Sequence, residues 1–87
     1  MNESLETIDA RAASLIHFHE DLIQDLIRIR KSHNLTQETV AERMGVTQAA
    51  VSQFERYDSN PKLATVRRYA LAVGARITHE VVDDWQI

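Results

Sequence analysis

Apolar residues recur at the start of the chain at Leu5, Ile8, Ala12, Leu15, Leu22, Leu26 and Ile29, with polar residues between them. Steps of three, four or seven put these side chains on one face of a helix. Neither Gly nor Pro interrupts Leu5 to Ser32, so the pattern predicts one long helix, or two helices broken near His17 to Glu20. Two shorter stripes follow, Val40, Ala41 and Met44, then Val51 and Phe54, with Gly45 between them. Helices joined by so short a turn cross steeply; the crossing needs a small side chain and the turn needs a residue that tolerates positive φ. Ala41 and Gly45 meet those needs, and Thr47 is placed to cap the next helix. A fourth apolar face, Leu63, Val66, Ala70 and Val73, begins behind Asn60-Pro61, where Pro suits a first helical turn, and stops at Gly74.

Beyond Gly74 the period changes to two. The odd positions from Ala75 onward are mostly apolar and the even ones mostly polar, which predicts a strand from about Arg76 to Val82. A lone strand leaves its backbone unpaired along both edges. No other segment reads as a strand, so pairing with the same strand of a second copy across a two-fold axis is the economical solution. Ile77, His79, Val81 and Trp85 are the expected dimerisation residues, although Trp85 serves equally well as a strand-end core aromatic. The stripe at Leu5, Ile8, Ala12 and Leu15 also needs cover, from a partner chain or from the chain's own C-terminus.

The helical pair gives the chain its family likeness. Leu35-Thr36-Gln37, the trio Ala41, Gly45 and Val51, the pair Phe54-Glu55 and the run Leu63-Ala-Thr-Val-Arg-Arg-Tyr-Ala stand in register with the motif of the Cro/C1-type (Xre) helix-turn-helix proteins, which the chain resembles from about Ile27 to Ile77. Two departures are visible: Tyr57 where the family usually has Gly or Asn, and Asn34 where Gly is commoner before the second helix. Asn tolerates the left-handed region. The resemblance implies a mainly α, five-helix lambda-repressor-like DNA-binding domain over residues 20–75. It would be preceded by an N-terminal helical extension, 1–19, and followed by a C-terminal dimerisation strand and tail, 76–87. That added architecture, with the Val-Gly-Ala-Arg-Ile run entering the strand, resembles the compact HigA-type antitoxins, a subgroup that represses its own operons as dimers.

Composition narrows the classes. The 87 residues make one small domain that gains from oligomerisation, and the absence of Cys leaves no disulfide, thiolate metal site or thiol nucleophile. No apolar run reaches membrane-spanning length and the N-terminus is too acidic for a signal peptide, so a cytoplasmic protein without membrane attachment is expected. The net charge of −3 divides into −5 over residues 1–27, +5 over 28–76 and −3 over 77–87. The positive charge thus coincides with the helical pair, where phosphate neutralisation would act locally.

In the family the third helix enters the major groove. Carried over by position, Gln48 would read adenine through its amide, Ala49 would meet a thymine methyl, and Ser52 and Gln53 would reach base edges or phosphate. Gln37 would anchor phosphate, Thr47 would stand at the helix start, and Arg43, Arg56 and Lys62 are further phosphate candidates. Arg30 and Glu55 occupy positions that commonly form a partly buried ion pair. The implied partner is double-stranded DNA carrying a near-palindromic operator, bound by a homodimer. A HigA-like chain would also bind a small RelE-like, HigB-type toxin. A solitary or phage-type regulator fits the same motif, and a module that mainly binds protein is a further alternative. Catalysis is not expected: His17 and His19 point apart on a helix, so no metal site forms, and no nucleophile motif, cofactor loop or small-molecule site is evident.

Overall fold

The computed structural model describes residues 3–85. Among them are four helices, α1 (Leu5–Ser32), α2 (Gln37–Met44), α3 (Gln48–Phe54) and α4 (Leu63–Val73), and no strand. The fold is therefore mainly helical, with four helices where five were expected. The expected extension and first helix are one continuous 28-residue element, and the segment after α4 forms no further helix.

Ser4 starts α1 by accepting from the Thr7 backbone N–H at 3.1 Å. Glu6 in the first turn, and Arg30 and Lys31 in the last, match the helix dipole. With nothing to break it, α1 runs straight through His17 to Glu20. At about 1.5 Å per residue it approaches the 52 Å long axis of the molecule, whose other extents are 22 and 21 Å. Only its C-terminal half enters the core, through Ile23, Leu26, Ile27 and Arg30. The N-terminal half is an arm with Leu5 76% and Leu15 63% exposed, so the described chain does not cover that stripe. The C-terminal segment reaches the arm at Arg11, which donates through Nε to Asp84 Oδ2 at 3.0 Å and pairs with Glu3.

Sharp boundaries separate the short helices. Asn34 turns the chain out of α1 at φ 57°, the left-handed value anticipated for it. Thr36 caps α2 by accepting from Thr39 N at 3.0 Å, Gly45 ends it at φ 69°, and Thr47 caps α3 by accepting from Ala50 N at 3.1 Å. Lys62 occupies the N-cap of α4, so Pro61 precedes the helix instead of lying in its first turn. Of the face assigned to α4, Val66, Ala70 and Val73 are buried, but Leu63 is 71% exposed. The helix is rotated to bury Tyr69 completely. Ile23, Leu26, Ile27, Val40, Ala41, Met44, Val51, Phe54 and these α4 residues form one core.

The strand expected at Arg76 to Val82 is absent. A strand exists only with a ladder partner, and every other regular element of the described chain is helical. Of the expected dimerisation residues, Ile77 is 37%, Val81 89% and Trp85 61% exposed, and His79 is exposed as well.

Candidate nucleic-acid interface

Helix α3 is short enough that two side chains fix it. Val51 and Phe54, 1% and 4% exposed, point into the core. Their burial forces Gln48, Ala49, Ala50, Ser52 and Gln53 to the opposite, exposed side. The turn before it holds its angle through Val46 N donating to Ala41 O at 3.0 Å. Four adjacent positions singled out in the sequence, Gln48, Ala49, Ser52 and Gln53, thus share one surface, with the capping Thr47 at its start.

The rear of that helix is clamped by a polar cluster. Arg30 of α1 donates from Nε to Glu55 Oε2 at 2.8 Å and from its terminal nitrogen to Glu55 Oε1 at 2.9 Å, a bidentate pair whose side chains are 10% and 8% exposed. Its third donor reaches the Leu35 carbonyl at 2.8 Å. Tyr69 donates its hydroxyl to Glu55 Oε2 at 2.7 Å and stacks on Phe54 with ring centroids 4.4 Å apart. Gln37 donates from Nε2 to Glu55 Oε1 at 3.1 Å. Burial works to raise the Glu55 pKa, but the hydrogen bonds from Arg30, Tyr69 and Gln37 outweigh it and hold the carboxyl below its usual range. The Tyr69 hydroxyl has its pKa raised, by burial first and then by its hydrogen bond to Glu55. Among the described residues no buried side-chain nitrogen or oxygen lacks a partner.

The candidate phosphate residues are less uniform. Gln37 lies half-buried at the start of α2 with its amide tied to Glu55. Arg43 is exposed and donates from one terminal nitrogen to the Ala72 carbonyl at 2.8 Å near the end of α4. Arg56 stands in the loop after α3 but is paired with Asp58 at 3.0 Å, which lowers the Asp58 pKa. Lys62 is exposed at the N-cap of α4. Tyr57, 88% exposed, needs no left-handed backbone, because the loop closes otherwise: Ser59 Oγ donates to the Phe54 carbonyl at 2.7 Å, and Ser59 N to Arg56 O at 3.1 Å.

Sequence reasoning missed two features. Tyr69 is the hub joining α4 to the ion pair, and the signal was a hydroxyl inside an otherwise apolar stripe. Asn60 and Thr65 share a depression of about 240 Å³ with Ala50 and Gln53, beside the exposed side of α3. That adjacency depends on how α4 packs and has no marker in the sequence.

His17 and His19 do diverge: His17 Nδ1 lies 3.6 Å from Glu20 Oε2, whereas His19 Nε2 lies 3.2 Å from the Ser59 carbonyl. No group of three or more potential metal ligands occurs among the described residues. No helix there is long and apolar enough to cross a membrane.

A family model described as "Helix-turn-helix" matches residues 26–78, the stretch that holds α2, the exposed α3 and the cluster that clamps it. The chain belongs to this helix-turn-helix family. Its curated relatives include the Antitoxin HigA1 proteins of two strains of Mycobacterium tuberculosis, each 52% identical over 56 residues. The matched stretch covers 64% of this helix-turn-helix chain but 38% of those relatives' length. No solved structure matches.

Proposed function

We propose that this chain is a sequence-specific double-stranded DNA-binding repressor that works as a homodimer, with α3 lying in the major groove. The carrying observation is the division of α3, whose buried Val51 and Phe54 hold Gln48, Ala49, Ser52 and Gln53 outward on a surface braced by Arg30, Glu55 and Tyr69. A side chain that reads bases must be held rigidly, because a bidentate amide pair tolerates little misplacement. Gln48 is the principal base reader in this proposal, Ala49 contacts a thymine methyl, and Ser52 and Gln53 reach the neighbouring base edges or phosphates. Gln37, Thr47, Lys62 and Arg56 meet phosphate, Arg56 by exchanging its Asp58 partner for a backbone phosphate. Arg43, which keeps free donors beside its bond to the Ala72 carbonyl, is a further phosphate contact in this proposal.

Two copies related by a two-fold axis, with their C-terminal segments at Arg76 to Val82 paired as strands, would address a near-palindromic operator. The likeness to proteins named antitoxins favours a role as the antitoxin of a HigBA-like pair, regulating its own operon and binding a small HigB-type toxin away from α3. Because the match spans a minor part of those relatives, the toxin partner belongs to the proposal alone. A cytoplasmic site of action follows from this role.

Selection from a randomised duplex pool, followed by titration of the enriched and a scrambled duplex at several salt concentrations, tests the reading. Binding should weaken steeply with salt, and Gln48→Ala should cost about 1 to 3 kcal/mol of discrimination between the two duplexes while leaving the salt slope nearly unchanged. No enrichment at low salt, or full discrimination by the variant, would refute it.

A further inference from the structure

A groove of about 630 Å³ runs between the middle of α1, the outer face of α4 and the start of the C-terminal segment. Phe18, Leu22, Leu71 and Ile77 supply its apolar lining, and Arg67 and Arg76 its cations. Leu71 is 83% exposed and Phe18 58%, an unusual loss of burial for a chain this small. One wall is the segment from Ala75 to His79, whose backbone has no ladder partner among the described residues. Further on, the same segment becomes acidic and amphipathic: Glu80 and Asp83 accompany the exposed Val81, Val82 and Trp85.

We propose that this groove seats the C-terminal segment of a second copy, with Trp85 as the apolar anchor. The inference rests on the two-fold pairing proposed above and names the surface it occupies. Three features converge on that occupant. The cations of the groove complement the Asp83 carboxylate of an incoming segment, which shares the parity of Trp85 and so faces the same side. Beyond Ala75, whose N–H is held by the Ala70 carbonyl, the backbone of the wall offers a strand edge, and a strand added there sends alternate side chains down into the groove. The wall and the occupant are one segment, so a single two-fold operation fills both grooves at once. A two-fold axis through Glu80 would set Ala75 opposite the partner's Trp85, a small side chain against the largest one. An indole there would lie over Leu71 and Leu22 and withdraw apolar surface of both copies from water.

Trp85 is the only tryptophan in the chain and therefore reports its own surroundings. Sedimentation and tryptophan emission, followed together over a dilution series of the full chain, test the proposal. The expected result is a dimer whose emission lies at shorter wavelength than that of the dissociated chain. Leu71→Glu, at a position already exposed in the single chain, should preserve the helical circular dichroism and raise the dimer dissociation constant about tenfold or more, since the symmetry repeats the loss. A dimer with water-exposed Trp85 emission, insensitive to Leu71→Glu, would overturn the groove assignment and leave the pairing standing. A monomer at every concentration would overturn the pairing and the groove together.

Discussion

Glu55 is the residue on which the arrangement of the helices converges. Standing at the C-cap of α3, it accepts from Arg30 of α1, Gln37 of α2 and Tyr69 of α4. A buried ion pair of this kind adds little net stability over an apolar substitute, yet removing one partner strands a charge. Arg30→Ala should therefore cost about 3 to 5 kcal/mol by denaturant unfolding, a large share of the roughly 5 to 15 kcal/mol typical of a whole domain. The pH dependence has a definite sign. Because the folded-state pKa of Glu55 is lowered from 4.5, its contribution is fully present above pH 4.5 and is lost as pH falls through the lowered value. Glu55→Gln should flatten that part of the curve of stability against pH, measured as the urea midpoint. An unchanged acid limb in that variant would remove Glu55 from the account.

Among the elements, the turn between α2 and α3 decides where the exposed face points. Gly45 takes φ 69° and the space around its missing Cβ is open, so a side chain there is resisted by backbone conformation and not by a clash. Gly45→Ala should lower stability by about 1 kcal/mol without repacking the core, read from the thermal midpoint at unchanged near-ultraviolet circular dichroism. The three threonine- and serine-capped helix starts show the same economy of local signals, whereas α4 starts at Lys62 with no side-chain cap and depends on the burial of Tyr69, Ala70 and Val73. The arm of α1 makes the opposite case. It is helical through local propensity and a capped start, and it contributes almost nothing to the core of its own chain.

For the molecule as a whole, charge and shape act together. The basic middle of the chain carries the exposed face of α3, and the two ends of the sequence are acidic; the molecule is 52 Å long and 22 by 21 Å across. In a two-fold dimer the two α3 faces should meet half-sites about one helical turn apart, on the order of 34 Å. Inserting half a helical turn of DNA, about 5 base pairs, between the half-sites should abolish tight binding, and a full turn should restore much less than the native spacing because the protein fixes the separation. Electrophoretic titration of the three duplexes distinguishes this from two independently binding monomers, which would tolerate all three spacings.

The boundaries of α2 and α3, the left-handed Asn34 and the pairing of Arg30 with Glu55 were legible in residue order, because caps, turns and helical period are local chemistry and the pair follows from family register. The rotation of α4 was not. Leu63 and Val66 look equivalent in a stripe, and only the fit against α1, α2 and α3 decides that Leu63 faces out while Tyr69 is buried. Arg43 reads from the sequence as a phosphate candidate, and only packing shows the Ala72 carbonyl within 2.8 Å of it. The period-two pattern after Gly74 records a preference for pairing, but a ladder needs a second strand, and the described residues of this chain supply none. Sequence thus determined what each short segment favours, through dihedral preference and the spacing of apolar side chains. Tertiary structure alone decided which faces meet, because that depends on shapes brought together from distant parts of the chain.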